Sequence, residues 1–372
     1  MTTGARDSAR SVPLGAVYAL AAAVLFGVST PLAKLLVGQI HPVMLAGLLY
    51  LGCGLGLAAL RAGGVLLRLG SSEARLRRSD LPWLAGATVA GGMLGPVLLM
   101  VGLRLTSGAS ASLLLNMEGV LTAALAWLVF REHVSARVAV GMGAVVAGGV
   151  VLAWGGGEAT AGSVWGSVAV LGACLAWAVD NNLTRAVSAR DPLQIASVKG
   201  LVAGAVNVVI ALCIGAGVAG PGRTLAAGTV GLFGYGVSLA LFVLALRHVG
   251  AARTGAYFGT APFIGAVVAV LLLREAVGAR LLVAGALMAL GVGLNLSERH
   301  AHLHAHGGLT HDHRHIHADA HHAHGHKGDA DAEAAHAHPH AHEPLVHAHP
   351  HFPDIHHGHD HADRGEGDHR RT

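Results

Sequence analysis

Apolar runs of about 20 residues, the length that an α-helix needs to cross a bilayer, follow one another as far as residue 298 and are separated by short polar turns. This pattern predicts ten membrane-spanning helices. Hydrophobic residues make up 53% of the chain and charged residues 12%, so we expect an all-α integral membrane protein. The predicted spans are 14–36, 42–60, 81–103, 107–130, 135–154, 163–184, 192–217, 228–246, 251–273 and 279–296.

The chain also matches itself at a fixed spacing. The segment 103–137 reappears without a gap as 246–280, so that Arg131 matches Arg274, and the earlier spans align more weakly. Internal repeats of apolar segments are typical of transporters built from two halves. Because each half holds five spans, the two halves must be inverted relative to each other. The predicted organisation is a short N-terminus, two five-helix repeats and a tail, with bounds 1–12, 13–154, 163–298 and 299–372.

Positive charge indicates how the spans are oriented. Arginines are concentrated in the loops on one side of the predicted membrane, most of all between residues 61 and 78. Loops rich in Lys and Arg face the cytoplasm, so we expect a multi-pass protein of the cell (plasma or inner) membrane with both termini cytoplasmic. The same loops explain the basic balance of residues 1–299, and no nucleic-acid partner is expected. The three cysteines lie inside apolar runs, so no disulfide framework is expected.

The turn after the fourth span of each half, with the glycine-rich span that follows it, carries a family resemblance. In the first half this is Arg131-Glu132-His133 with Gly141 and Gly148, and in the second it is Arg274-Glu275 with Gly285 and Gly291. These stretches resemble the end of an EamA domain, and two such domains in tandem resemble the drug/metabolite transporter superfamily over about residues 12–298. The resemblance implies a secondary transporter, an exporter or permease, for a small organic metabolite or drug, and it does not specify which one.

Glu118 is the most conspicuous charge inside a predicted span. It lies near the middle of the fourth span, where a carboxylate costs about 2.5–3.5 kcal/mol on insertion scales. The equivalent residue in the second half is Ala261, so the fold alone does not require an acid here. Glu118 is either a site for a proton or a substrate cation, or a structural acid bonded to a neighbouring helix. Asn116 is expected to share its cavity, and the equivalence of Gly119 and Pro262 predicts local bending nearby.

Asp180 and Lys199 form a second candidate site. They fall on adjacent antiparallel spans, where pairing would lower the cost of burying both charges, and their equivalents in the first half are uncharged. A plain ion pair and a substrate site both remain open. Asn181 adds donors and acceptors for a polar ligand, whereas Lys34 either contributes to the site or extends to the membrane surface. The predicted substrate-binding or ion-binding residues are Glu118, Asn116, Asp180, Asn181, Lys199 and Lys34.

The last segment of the chain is histidine-rich, with 24 of the 27 histidines in residues 300–372. It has no apolar period, which predicts disorder. Neutral imidazole binds nickel, cobalt and zinc, so the tail is predicted to bind metal, although a compositionally biased tail and a pH-responsive tail remain alternatives. The predicted metal ligands are His302, His304, His306, His336, His338, His340 and His342.

Two functional classes fit these observations. The residues deep in the spans are Glu, Asp, Asn and Lys rather than His, Cys or Met, which favours a carrier of a small organic molecule over a transition-metal (Ni, Co or Zn) transporter or a metal-regulated carrier. No soluble catalytic motif is present, so we expect neither enzymatic activity nor a required cofactor. The expected partners are membrane lipid, a small-molecule substrate and a divalent metal, and a homodimer is left open.

Overall fold

Thirteen α-helices build the ten spans in the described part of the chain. The computed structural model describes residues 14–66, 76–130, 135–153, 161–187, 190–297, 301–306, 310–315, 336–341 and 345–350. The helices are α1 Leu14–Val37, α2 Pro42–Leu66, α3 Leu81–Ala87, α4 Gly95–Leu105, α5 Gly108–Leu114, α6 Met117–Phe130, α7 Ala136–Ala153, α8 Ala161–Thr184, α9 Pro192–Cys213, α10 Pro221–Gly231, α11 Ser238–Phe258, α12 Ala261–Leu273 and α13 Ala279–Leu296. Ten membrane-length spans are found among these residues, so the predicted all-α membrane fold is confirmed.

The third and eighth spans contain a π-helical segment at the same place in each half. The first π segment, Thr88–Leu94, joins α3 to α4, and the second, Leu232–Val237, joins α10 to α11. A π segment releases carbonyl groups from the normal helical ladder and is often found at functional sites. Gly91 illustrates this, because its carbonyl oxygen accepts hydrogen bonds from the Tyr50 hydroxyl at 2.7 Å and from the Trp177 indole N–H at 2.9 Å. The predicted third and eighth spans are confirmed as membrane-length helices, and the π segments lie within them.

The fourth and ninth spans are broken in the middle, again at equivalent places. α5 and α6 are separated by Leu115 and Asn116, and α11 and α12 by Gly259 and Thr260. In each case a side chain satisfies a carbonyl freed by the break, since Asn116 Nδ2 donates to Leu113 O at 2.8 Å and Thr260 Oγ1 donates to the Tyr257 O at 2.6 Å. The predicted spans 107–130 and 251–273 are confirmed; each consists of two helical segments, and the predicted bending is present.

Three other predicted boundaries shift by several residues. The second span ends at Leu66 rather than 60, the seventh ends at Cys213 rather than 217, and the eighth begins at Pro221 rather than 228. The start of α9 has a clear local cause, because the Asp191 carboxylate accepts hydrogen bonds from the backbone N–H groups of Leu193 and Gln194, and Pro192 occupies the first helical position. α11 changes direction at Gly250, whose φ of 77° is a conformation that residues with a Cβ rarely adopt.

The helices of the two halves interleave rather than forming separate bodies. α2 packs on α9, α7 on α13, α4 on α8, and α1 on α11 and α12. The contact of α2 with α9 depends on small residues, because a Cβ on Gly204 would lie 2.6 Å from the Leu51 backbone nitrogen and 2.9 Å from the Gly47 carbonyl oxygen. Glycine lets helix backbones approach this closely in lipid. Spaces within the bundle are therefore lined by both halves.

Four short strands are described in the tail. They are β1 Ala301–His306, β2 Thr310–His315, β3 His336–Ala341 and β4 Leu345–Pro350, with β1 antiparallel to β4 and β2 antiparallel to β3. The rest of residues 298–372 lies outside the described residues, so the predicted disorder of the tail stays a prediction. The turn at 131–134, the residues 1–13 and the predicted ligand His342 lie outside the described residues.

Candidate functional site

A cavity of about 570 Å³ lies between the two halves. Its walls come from α1, α2, α8, α9, the second π segment and α11. Thr184, at the end of α8, and Pro192, at the start of α9, both line it. The cavity therefore reaches the membrane face at which α8 ends and α9 begins.

Five aromatic rings form a continuous series along the cavity. Tyr50 contacts Tyr235 with a centroid distance of 5.8 Å, and Tyr235 contacts Phe26 at 5.9 Å. Phe26 contacts Phe258 at 5.4 Å, and Phe258 contacts Phe242 at 4.9 Å. All five line the cavity, and edge-to-face and tilted contacts at these distances are favourable ring geometries. The series presents several ring surfaces to anything that enters.

The ion pair of Asp180 and Lys199 lies at the cavity wall. Lys199 Nζ donates to both carboxylate oxygens of Asp180, at 2.5 and 2.7 Å, and Thr184 Oγ1 donates to Oδ1 at 2.9 Å. Lys199 lines the cavity, whereas Asp180 is buried behind it. This arrangement neutralises two charges within a membrane span, which lowers the cost of burying either. The role of the pair in binding stays a prediction.

The inverted repeat supplies an uncharged counterpart of this pair. Gly91 of the first π segment leaves room for Asp180, because a Cβ there would overlap the carboxylate. Gly234 of the second π segment lies in the same way against Ser29, the equivalent of Asp180. Since a serine occupies this packing position in one half, the architecture itself does not need an acid. The Asp180 carboxylate is therefore a specific feature of one half of the molecule.

Glu118 is connected to the cavity through Asn181. The Asn181 amide donates from Nδ2 to Glu118 Oε1 at 2.9 Å and to Thr122 Oγ1 at 3.3 Å. Asn181 lines the cavity and directly follows Asp180 in the chain. Glu118 lies in the first turn of α6, where the positive end of the helix dipole favours a carboxylate. The predicted residues Glu118, Asp180, Asn181 and Lys199 thus come together around one wall.

Asn116 and Lys34, the two other predicted site residues, donate hydrogen bonds to backbone carbonyl oxygens. The Asn116 amide donates to Leu113 O at 2.8 Å and contacts Met288 Sδ at 3.9 Å, and the expectation that it shares a cavity with Glu118 stays a prediction. The Lys34 ammonium donates to the carbonyl oxygens of Leu103 and Thr106, with the Thr106 contact at 2.8 Å. Both side chains satisfy carbonyl groups at helix ends or breaks, and their role in binding stays a prediction.

Glu275 has a position that its sequence context did not indicate. Its carboxylate accepts from the backbone N–H groups of Gly108 at 2.6 Å and Ala109 at 2.8 Å. It therefore caps the start of α5. Lys34 lies close by and donates a hydrogen bond to the Thr106 carbonyl oxygen at the end of α4. These contacts join α1, α4, α5 and the turn after α12 at the face opposite the cavity opening. The bundle is tied together at that face and open at the other.

The aromatic series was also missed by sequence reasoning. Its five members are scattered over residues 26 to 258 and do not follow a common spacing, so only the packing of the helices brings them together. Aromatic residues make up just 4% of the chain, and their concentration around one cavity is the informative feature. Among the residues whose side chains are described, no group of three or more His, Cys, Asp or Glu is arranged to hold a metal ion.

Comparisons with known proteins agree with this architecture. The profile of the EamA-like transporter family matches residues 13–154 and 164–297. An "Uncharacterized transporter" of Methanothermobacter thermautotrophicus (strain Delta H) is 31% identical over 290 residues, which cover 75% of this chain and 84% of that protein. A solved crystal structure covering 75% of this chain and 95% of its own resembles it with a TM-score of 0.55 at 19% identity, which supports the fold alone.

We predict that Asp180 and Lys199 are energetically coupled. Asp180→Asn or Lys199→Met alone leaves one charge unpaired in the membrane and is expected to lower stability by about 3–5 kcal/mol, the usual effect of breaking a buried pair. The double variant is expected to be less destabilised than the sum of the singles, as measured by thermal unfolding in detergent.

The matched control combines Asp180→Asn with Arg280→Met. Arg280 bonds the Leu152 carbonyl oxygen on the opposite side of the membrane, so these two effects are expected to add. Equal additivity in both double variants would show that Asp180 and Lys199 do not stabilise each other.

Proposed function

This chain belongs to the EamA-like transporter family, and we propose that it is a secondary transporter of a small organic molecule with a flat, apolar body and a polar group. The cavity carries this proposal. Its volume of about 570 Å³ lies in the range of small-molecule sites, about 300–1,000 Å³. The aromatic series offers surfaces on which a flat molecule can stack, and Asn181 and Lys199 offer polar atoms beside it.

We propose that the described conformation is the one open to the face where α8 ends. The opposite face is tied together by Glu275 on α5 and by Lys34 on the end of α4. Inverted repeats allow a second conformation in which the two halves exchange roles. Transport then requires the Lys34 and Glu275 contacts to open while helices around the cavity mouth close.

Glu118 is proposed to couple transport to protons. Its carboxylate accepts a hydrogen bond from Asn181, which lines the cavity. Protonation would turn this acceptor-only group into one that can also donate a hydrogen bond, and this would change what the Asn181 amide offers to a substrate. Glu118 also lies next to a break in its span, and broken helices are common around the substrate and ion sites of transporters.

A transition-metal carrier is the less favoured function. Metal transport through the bundle needs clustered ligands along the path, and the described side chains contain no such group of three. The cavity is instead lined by aromatic and aliphatic side chains with a few amide, hydroxyl and ammonium groups. These groups suit an organic molecule better than a bare cation.

Filling the cavity should stop transport. Ala196 on α9 lines the cavity, so Ala196→Trp is expected to reduce uptake into proteoliposomes at least about tenfold, because the added ring occupies the space that the substrate needs. Uptake would be measured for a panel of aromatic amino acids, nucleosides and aliphatic amino acids, and we expect aromatic members to be carried best.

The matched control is Ala205→Trp on the same helix, because Ala205 is exposed on the outside of the bundle. It is expected to transport like the unmodified protein. Unchanged uptake in Ala196→Trp, or equally fast uptake of aliphatic compounds, would contradict the proposed site or its preference for flat molecules.

Glu118→Gln is expected to abolish the pH dependence of transport while the protein still inserts normally, since glutamine keeps the size of the side chain and cannot titrate. Initial rates in proteoliposomes between about pH 5.5 and 8 provide the measurement, together with the amount of protein in the membrane. Glu118→Asp keeps a titratable group and should retain pH dependence. A Glu118→Gln variant with the unmodified pH profile would exclude this residue from coupling.

We propose that the start of the first span and the end of the last span both face the cytoplasm. They lie at the face where the cavity opens, and Arg61, Arg77, Arg78 and Arg190 lie at this face too. Green fluorescent protein fused after residue 299 should fluoresce, and alkaline phosphatase at the same site should be inactive. A fusion after residue 157, which follows five spans, should give the opposite results and serves as the control. Active phosphatase after residue 299 would reverse the orientation.

A further inference from the structure

The Lys34 contact lies entirely within the first half of the molecule. Lys34, in the last turn of α1, donates to the carbonyl oxygens of Leu103 and Thr106, where α4 ends. Both carbonyl groups belong to the corner between the third and fourth spans. The contact therefore fixes the first helix of this half to that corner, at the face opposite the cavity opening.

The second half carries the same groups at the face where the cavity opens. The equivalents are Arg185 for Lys34, and Leu246 and Val249 for Leu103 and Thr106. Arg185 lies in the short 3₁₀ turn that follows α8, much as Lys34 lies in the last turn of α1. The second half thus has a cation at the end of its first helix and two backbone carbonyl groups at the matching corner.

The cavity separates these groups in the described conformation. Thr184, which precedes Arg185, and Leu246 both line it, so the space lies between the end of α8 and the corner. α1 packs on α4 and α5 in the first half, whereas the described residues show no comparable packing of α8 on α11. The first half is therefore closed on itself at its corner, and the second half is open at the equivalent place.

We propose that Arg185 closes the cavity mouth by donating to the carbonyl oxygens of Leu246 and Val249 when the protein opens to the opposite face. The inference rests on the proposed transport function. When two inverted halves exchange conformations, the open half takes the packing that the closed half has now, and Lys34 shows which groups meet. Carbonyl groups at a helix end need such donors, and a cation also complements the helix dipole there.

The two cations then act in opposition. Lys34 stabilises the described conformation and separates from its carbonyl groups when the mouth closes, whereas Arg185 stabilises the alternative conformation. Arg185 is a positioning residue, since it acts on the helices and not on the substrate. Removing either cation should shift the balance between the two conformations, and the two shifts should have opposite signs. A side chain needed only for folding would not produce this opposition.

The test measures how often the cavity opens to the opposite face. A cysteine at Ala196, which lines the cavity, reports this in full-length protein in which the native cysteines are removed by Cys53→Ala, Cys174→Ala and Cys213→Ala. Right-side-out and inverted membrane vesicles would be treated with a membrane-impermeant methanethiosulfonate reagent. A hydrogen bond from a charged donor shifts an equilibrium by about tenfold or more. We therefore expect Arg185→Gln to slow modification from the opposite face at least about fivefold, and Lys34→Gln to accelerate it.

Two further variants serve as controls. Arg185→Lys should keep the parent rate, because a lysine makes the equivalent contact in the first half. Arg78→Gln removes an exposed positive charge from the same face and should also keep it. Modification of Arg185→Gln from the mouth side should be at least as fast as in the parent, which shows that the variant is folded.

The outcomes separate this inference from the function on which it rests. Equal rates from the opposite face in Arg185→Gln and the parent, or equal slowing in Arg78→Gln, would overturn the role of Arg185 alone. Slower modification from both faces would indicate general damage and would overturn that role as well. No modification from the opposite face in any variant would contradict the exchange of conformations, and with it the proposed transport function.

Discussion

A peptide group that leaves the helical ladder inside a bilayer must find another partner, because lipid offers none. This constraint connects the irregular parts of the bundle. Four of its ten spans depart from a regular helix, at two π segments and two breaks. At the two breaks, Asn116 and Thr260 donate hydrogen bonds to carbonyl oxygens of their own spans. At the first π segment, Tyr50 and Trp177 from other helices donate to the carbonyl oxygen of Gly91. Among the described buried side chains, only Ser112 Oγ and Asn295 Oδ1 have no hydrogen-bond partner. Irregular backbone is therefore present where partner side chains converge.

The same constraint explains why the cavity lies where it does. π segments and helix breaks displace the helix axis, and here they come in symmetric pairs because the two halves share one fold. Gly91 and Gly234 give each inverted half an equivalent gap, which Asp180 fills on one side and Ser29 on the other. The repeat thus generates a symmetric framework, and single residue differences make it asymmetric. Lys199, whose equivalent is Leu49, adds charge only on the Asp180 side, next to the cavity.

The fold was largely predictable from the sequence, and the site was predictable only in part. Hydropathy defined ten spans because burial in lipid demands long apolar runs, and the repeat defined two halves. The π segments left no hydropathy signal, since they change the hydrogen bonding of a run and not its polarity. Charged residues deep in spans were conspicuous, which is why Glu118, Asp180 and Lys199 could be found. By the same criterion, Lys34 and Asn116 could not be distinguished from these three residues, although in the structure they donate hydrogen bonds to backbone carbonyl oxygens. The aromatic series depends on packing between halves and left no local pattern.

The bundle and the tail illustrate two opposite uses of periodicity. In the bundle, apolar runs specify helices, and the residues proposed to carry function are the few polar ones that break the pattern, such as Glu118 beside the break in its span. In the tail, the polar residue is itself the repeating unit, so no packed core can form. The order of the bundle, by contrast, follows from apolar runs that require burial in lipid and from hydrogen bonds that lipid cannot replace.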